Sequence, residues 1–224
     1  MAALTALNEA VIACRRCPRL VEWRELVARE KRAAFRDQEY WGKPMQGFGD
    51  PGAHVLVLGL APAAHGGNRT GRIFTGDRSG DFLFASMHRL GLASQASSVS
   101  RDDGLRLRDA YVVAAVRCAP PANKPTPQER ENCSSWLEQE VSLLTHVRVV
   151  VCLGAFAWES ALRLRAMLDG DPIPRPRPKF GHGVELPGRP WTLLGCFHPS
   201  QQNTFTGKLT PEMMDAVFAR AVEL

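Results

Sequence analysis

The sequence predicts a single α/β domain built on a central, mostly parallel four-stranded sheet flanked by helices. Three observations carry this. Four apolar runs, 55–58, 110–116, 147–153 and 191–197, are near-continuous in Val, Leu and Ala, as strands covered on both faces must be. Helical patterns separate them, and strand–helix alternation winds a parallel sheet. A chain of 224 residues also buries one sizeable core and leaves little for a second. The expected unit is therefore 1–224, with 1–50 as an N-terminal segment laid against it.

The first strand runs into Gly59-Leu-Ala-Pro-Ala-Ala-His-Gly-Gly-Asn-Arg-Thr-Gly-Arg-Ile-Phe-Thr-Gly-Asp77, a glycine-rich loop before a helix that begins near Ser79. No G-x-G-x-x-G can be laid on this loop, and no Gly-Lys-Ser/Thr closes it as in a P-loop. The second strand leads into Arg117-Cys-Ala-Pro-Pro-Ala-Asn-Lys-Pro-Thr126. Thr126-Pro-Gln-Glu129 is a capping box with Pro at the first helical position, which predicts a helix to about Leu144. A third strand and a helix over 155–168 follow. The segment 170–190, with Pro172, Pro174, Pro176 and Pro178, reads as an irregular surface connection. The fourth strand ends in His198-Pro-Ser-Gln-Gln-Asn-Thr-Phe-Thr-Gly-Lys208, and Thr210-Pro opens a last helix. Ligands of such folds sit at the carboxyl ends of the strands, so the loops after Leu58, Val116, Leu153 and Phe197 should share one edge.

The composition, 45% hydrophobic and 23% charged, is that of a globular protein. No apolar run approaches the roughly 18 residues of a membrane span. The opening residues lack the basic start and apolar core of a signal peptide, so a cytoplasmic location is expected. The net charge of +5 suits a polyanionic partner without requiring one.

Of six cysteines, Cys152 and Cys196 lie inside apolar strands as small hydrophobes. The other four form two separated pairs: Cys14-Arg-Arg-Cys17 with a following proline, then Cys118 and Cys133. Two such pairs suit a tetrahedral metal site or an iron–sulfur cluster. Spacing alone leaves zinc, a [4Fe–4S] cluster and buried free thiols open. Its role would be structural, tying the N-terminal segment to the connection after the second strand.

Gly59-Leu-Ala-Pro with Asn68-Arg-Thr-Gly-Arg-Ile-Phe-Thr-Gly-Asp77 resembles the first motif of the family 5 uracil-DNA glycosylases. His198-Pro-Ser-Gln-Gln-Asn-Thr-Phe-Thr-Gly is similar to their second motif, and Arg117-Cys-Ala-Pro-Pro-Ala-Asn123 to the segment between. The resemblance runs from about Cys14 to Thr210. It implies the uracil-DNA glycosylase fold and a structural [4Fe–4S] cluster on Cys14, Cys17, Cys118 and Cys133. It also implies an enzyme that removes uracil from DNA and leaves an abasic site. No lysine in the motifs offers a Schiff-base nucleophile, so a monofunctional enzyme is expected, and a monomer. Hydroxymethyluracil, ethenocytosine, hypoxanthine and xanthine are further candidate bases.

Base removal requires extruding the nucleotide into a pocket. Phe74 is the candidate stacking wall, or else plain packing. Asp77 is the candidate for orienting water and stabilising charge on the sugar, or else the N-cap of the next helix. His198 is the candidate donor to the base O2, for which a neutral ring suffices, or else a satisfied polar residue at a strand end. Asn123 matches a catalytic position of the family, or else shapes the loop at Lys124-Pro125. Ala63 and Ala64 stand where other branches of the superfamily place a catalytic Asp, Asn or Glu. They, with Gly59, would shape the base site and leave room for larger bases. Gln201, Gln202, Asn203 and Thr204 are candidates for holding DNA from a wedge loop. Arg69 and Arg72 are candidate phosphate contacts or structural ion-pair partners. The rival readings are a non-catalytic nucleic-acid-binding module and a uracil-specific family 4-type enzyme.

Overall fold

The computed structural model describes residues 2–170 and 172–224; Met1 and, within the predicted connection 170–190, Asp171 lie outside it. The four apolar runs are parallel strands: β2 (Val55–Gly59), β3 (Ala110–Ala114), β4 (Val149–Leu153) and β6 (Thr192–Cys196). The sheet is wider than expected. Two-residue antiparallel strands, β1 (Phe48–Gly49) and β5 (Glu185–Leu186), cap its edges, giving six strands in the order β1-β3-β2-β4-β6-β5. Strands this short leave no periodicity in sequence, and short edge strands limit pairing with other chains.

Alternation along each strand assigns its residues to opposite faces. Val57, Val112, Val151 and Leu194 are register partners and enter one core with Leu83, Phe84, Met87 and Phe218. Leu58, Val113, Cys152 and Leu193 enter the other, with Leu137, Trp158 and Leu162. The first core is closed by α4 (Arg78–Arg89) and α8 (Pro211–Glu223), the second by α5 (Pro127–Leu143) and α6 (Ala155–Asp169). The Thr126 capping box forms as expected, with Glu129 reaching back to the Thr126 N–H at 2.7 Å. Cys152 and Cys196 are fully buried, and burial pushes both thiols up, Cys196 to about 12.

The N-terminal segment supplies α1 (Ala2–Ile12) and α2 (Pro18–Glu30). Side-chain contacts join it to α5. The Arg19 guanidinium grips Glu129 with donors at 2.7 and 2.8 Å, and Arg16 donates to the Ser135 hydroxyl. Below the sheet edge, Glu140 is fully buried. Its Oε1 accepts from the Tyr111 hydroxyl at 2.6 Å and from the Gly47 N–H at 3.0 Å. Its Oε2 lies 2.5 Å from Arg117 Nη1, off the hydrogen-bonding direction, so that pair is held by charge. Among the described residues no helix is long and apolar enough to cross a membrane.

Candidate active site

β2 and β4 are neighbours, and the connection leaving β2 runs to β3 on one side while that leaving β4 runs toward β6 on the other. That reversal opens a crevice at the carboxyl edge. A cavity of about 600 Å³ occupies it, walled by the loops after β2, β3, β4 and β6. The four strand ends expected to share an edge do so. Another cavity, of about 260 Å³, lies against α5 and α6, lined by Leu137, Leu164, Met167 and Ile173 among others. It is the more apolar of the two, but it draws nothing from the loops after β2 and β6 and lacks Asp77 and His198.

Phe74, Asp77, Ala63, Asn123, His198, Gln201 and Gln202 all line the large cavity. Phe74 sits in the left-handed region at φ 51°, an uncommon conformation for a bulky residue. Such strain collects at functional sites when the surroundings fix it. The Phe74 ring lies 5.9 Å from the His198 ring, centre to centre. Gly59 is under the ring rather than in the wall: a Cβ there would stand 2.9 Å from Phe74. Ala64 is not in the wall either, because the chain turns away after Ala63 into α3 (Gly67–Thr70).

Asp77 caps a helix and also lines the cavity. Its Oδ1 accepts from the Gly80 N–H at 2.9 Å and caps α4. Its Oδ2 faces Gly66, where any Cβ would overlap it. Burial pushes the carboxyl above the usual aspartate range, against the pull of the Gly80 and Ser79 N–H groups; Asp81 adds to the rise and Arg69 opposes it. His198 is half-buried as well, and desolvation lowers its pKa to about 4. At neutral pH the ring is uncharged, as a hydrogen-bond donor to a base carbonyl allows. A carboxylate and a neutral imidazole thus share an apolar chamber with a flat aromatic wall.

Gly66→Ala should displace Asp77 Oδ2 while sparing the helix cap. We expect excision to slow by about 10²-fold, the cost of roughly 1 Å of misplacement, with DNA affinity and circular dichroism unchanged. Single-turnover rates equal to wild type would show that Oδ2 is not the working oxygen.

Asn123 ends a 3-10 turn in which both it and Ala122 take positive φ, 56° and 52°. Asn tolerates that conformation, so the loop-shaping role is real. Its side chain is exposed at the cavity, and no hydrogen bond engages the amide among the described residues.

Two of the expected DNA contacts, Arg69 and Arg72, are corrected. Arg69 is buried and donates to the carbonyls of His65 (2.8 Å) and Gly76 (2.7 Å) and to Gln38 (2.5 Å), with its plane over the Phe35 ring. Arg72 is buried against Thr75, Ser98 and Asp103, with an ion pair at 2.7 Å. A buried guanidinium must spend its donors internally, so neither reaches a phosphate. Asn203 donates to the His198 carbonyl at 2.8 Å and Thr204 to the Ser200 carbonyl at 3.2 Å. Both brace the short helix α7 (Gln201–Phe205) and stay partly exposed beside the cavity rim.

Three residues of this rim escaped sequence reasoning. Arg78 is exposed at the first position of α4, beside the cavity, and its guanidinium lies 5.5 Å from the Phe205 ring. Phe205, at the end of α7, is 67% exposed, far beyond what packing of a Phe needs. Phe156 lines the mouth from the start of α6. The sequence clue for the first two was an arginine directly after Asp77 and an aromatic inside the second motif.

The four separated cysteines converge. Cys14, Cys17, Cys118 and Cys133 line one small cavity between the N-terminal segment and α5. Among the described residues no group of three His, Cys, Asp or Glu is set to hold a single metal ion. Each sulfur accepts one N–H: Trp136 Nε1 on Cys14 (3.4 Å), Asn132 Nδ2 on Cys17 (3.6 Å), Arg24 Nη1 on Cys118 (2.9 Å) and the Arg117 amide on Cys133 (3.3 Å).

Comparison with known proteins agrees with this geometry. The family model of the uracil DNA glycosylase superfamily matches residues 46–221. A type-5 uracil-DNA glycosylase of Mycobacterium bovis is 57% identical over 221 residues, covering 97% of this chain and 80% of the relative. The type-5 uracil-DNA glycosylase of Thermus thermophilus is 50% identical, over 98% of this chain and 97% of the relative. A type-4 uracil-DNA glycosylase of Archaeoglobus fulgidus is 30% identical, over 69% of each.

Proposed function

The chain belongs to the uracil DNA glycosylase superfamily, and from that premise we propose how its cavity carries out the chemistry. It is a hydrolytic uracil-DNA glycosylase acting on uracil-containing DNA, which rules out the non-catalytic binding module. The observation that carries the mechanism is the buried Asp77 carboxylate opposite the uncharged His198, with Phe74 between β2 and the cavity.

A flipped uracil stacks on Phe74, with its O2 toward His198. As the glycosidic bond breaks, its electron pair moves onto the base, and the His198 N–H stabilises the charge gathering at O2. Positive charge develops at the sugar, where Asp77 is the anion at hand. Asp77 also accepts the proton of the water that attacks C1′. Asn123 holds the base or that water from the rim. No lysine lines the cavity among the described residues, which supports hydrolysis without a Schiff base. Ala63 leaves the position near Asp77 without a second carboxylate, and a cavity of about 600 Å³ exceeds what uracil fills. That room supports acceptance of hydroxymethyluracil, ethenocytosine, hypoxanthine and xanthine. Gln201, Gln202 and the exposed Phe205 form the wedge that fills the vacated stack, with Arg78 on a flanking phosphate.

The cysteine pocket supports a structural [4Fe–4S] cluster. A cluster takes one cysteine thiolate per iron, and four cysteines line this one pocket. When bound it would bridge α2, the loop after β3, and α5.

The test is direct. Purified protein is incubated with duplex DNA bearing uracil, hypoxanthine or xanthine, then alkali reveals abasic sites as strand breaks. Breaks only with uracil would remove the wider base range. The pH profile separates the two titrating groups. Because the Asp77 pKa is raised and His198 protonates only at about 4, kcat/KM should fall with acid through one protonation above the usual aspartate range. An acid limb at about 4 or lower would transfer the base role away from Asp77.

A further inference from the structure

Two fully buried arginines flank the cysteine pocket, and only one of them has a buried acid for company. Arg117 faces Glu140. Among the described residues Arg24, 2% exposed, has only Glu25 at 4.0 Å, and that carboxylate is partly exposed and paired with Arg15. The Arg24 Nε has no hydrogen-bond partner among the described residues. A guanidinium buried without an anion is costly. The one group it faces is the cysteine set: Nη1 donates to Cys118 Sγ at 2.9 Å and Nη2 to the Cys14 carbonyl at 3.2 Å.

The main chain of the same residue points the other way. The Arg24 carbonyl accepts from Asn68 Nδ2 at 3.2 Å. Asn68 is fully buried in α3, inside the loop that ends in Phe74 and Asp77, and its own carbonyl accepts from the Gly42 N–H at 3.0 Å.

We propose that Arg24 is the counter-charge of the four-cysteine group and the strut through which that group steadies the catalytic loop. Four thiolates around a group of charge +2 carry a net −2, which supplies the anion that buried Arg24 lacks. The guanidinium retains the group, and the group in turn fixes α2 and its contact with Asn68. This rests on the cysteine pocket being occupied; the charge argument holds equally for zinc or for a [4Fe–4S] cluster. Arg24 is a positioning residue, since it touches neither substrate nor reacting atoms.

The experiment compares full-length wild type, Arg24→Lys, Arg24→Gln and Trp136→Phe, purified without air. Iron and zinc per chain are measured, then loss of the group to a chelator is timed by metal release and, for iron, by absorbance near about 400 nm. We expect Arg24→Gln to lose the group about 10–100-fold faster, the usual effect of removing a partner just outside a metal's ligands. Arg24→Lys keeps the charge and should stay within a few-fold of wild type. Trp136→Phe removes one neutral N–H donor and should fall between wild type and Arg24→Gln. Amide exchange across 63–77 should rise in Arg24→Gln and not in Trp136→Phe.

Wild type holding neither iron nor zinc would sink the cysteine reading itself. Metal-loaded wild type with equal loss rates in all four proteins would overturn the role of Arg24 and leave that reading intact. Should Arg24→Gln fail to fold, Arg24→Lys decides: loss of the group tenfold or more faster than in Trp136→Phe would refute the charge argument.

Discussion

Asp77→Asn is expected to remove most uracil excision while leaving the fold at least as stable at neutral pH. The side chain's two oxygens do different things, and the amide replaces only one of them. Its carbonyl oxygen still accepts from the Gly80 N–H and caps α4. It cannot take a proton from water or offset positive charge at the sugar, which should cost about 10²–10⁴-fold in single-turnover rate. The stability sign follows from the raised pKa. The folded state disfavours the ionised form, so as pH rises through the unfolded and then the folded pKa, Asp77 subtracts stability. Asparagine has no such loss. Thermal unfolding at pH 7 should give Tm equal to or above wild type, whereas Asp77→Ala, which also loses the cap, should fall by about 1 kcal/mol. A marked drop in Tm for Asp77→Asn would mean that the carboxylate is held chiefly for structure. Unchanged excision would return Asp77 to capping alone.

Glu140→Ala should produce the largest loss of stability in the molecule without touching the cavity. It strips Arg117 of the carboxylate beside it, leaves the Tyr111 hydroxyl and the Gly47 N–H unpaired, and opens a void beneath the sheet edge. Breaking a buried pair by removing one partner costs about 3–5 kcal/mol, which in a domain of this size lowers Tm by roughly 10 °C or more. Glu140→Gln retains an acceptor and should lose less. Urea titration with intrinsic fluorescence measures both. A shift in midpoint below that of a surface substitution would show that Arg117 is compensated elsewhere, with the neighbouring cysteine group as the first place to look.

The sheet's four inner strands were legible because complete burial leaves an unbroken apolar run, and the capping box of α5 because its chemistry is local. The edge strands were not: Phe48–Gly49 and Glu185–Leu186 exist only because a neighbour offers free N–H and C=O groups. Phe74, Asp77 and His198 could be named from their motifs, and the strand-end rule brought them to one edge. Arg69 and Arg72 misled for a physical reason. An arginine in a glycine-rich loop looks the same in sequence whether its guanidinium faces solvent or folds back onto carbonyls. Arg78 and Phe205 were passed over for the converse reason, since exposure is a property of the surroundings.

The sequence by itself determined the layered α/β architecture, the shared edge of four loops, the pairing of the four cysteines into one set, and the residue types of a base pocket. Each is written in local pattern: burial periodicity, caps and spaced motifs. Only the tertiary structure decided which polar groups are free to act. It made Asp77 a helix cap that also lines the cavity, kept His198 neutral by desolvation, and turned Arg69 and Arg72 inward. It also set Arg24 against the cysteines. Those outcomes depend on desolvation and on which donor meets which acceptor across the chain, and neither exists until the loops are packed together.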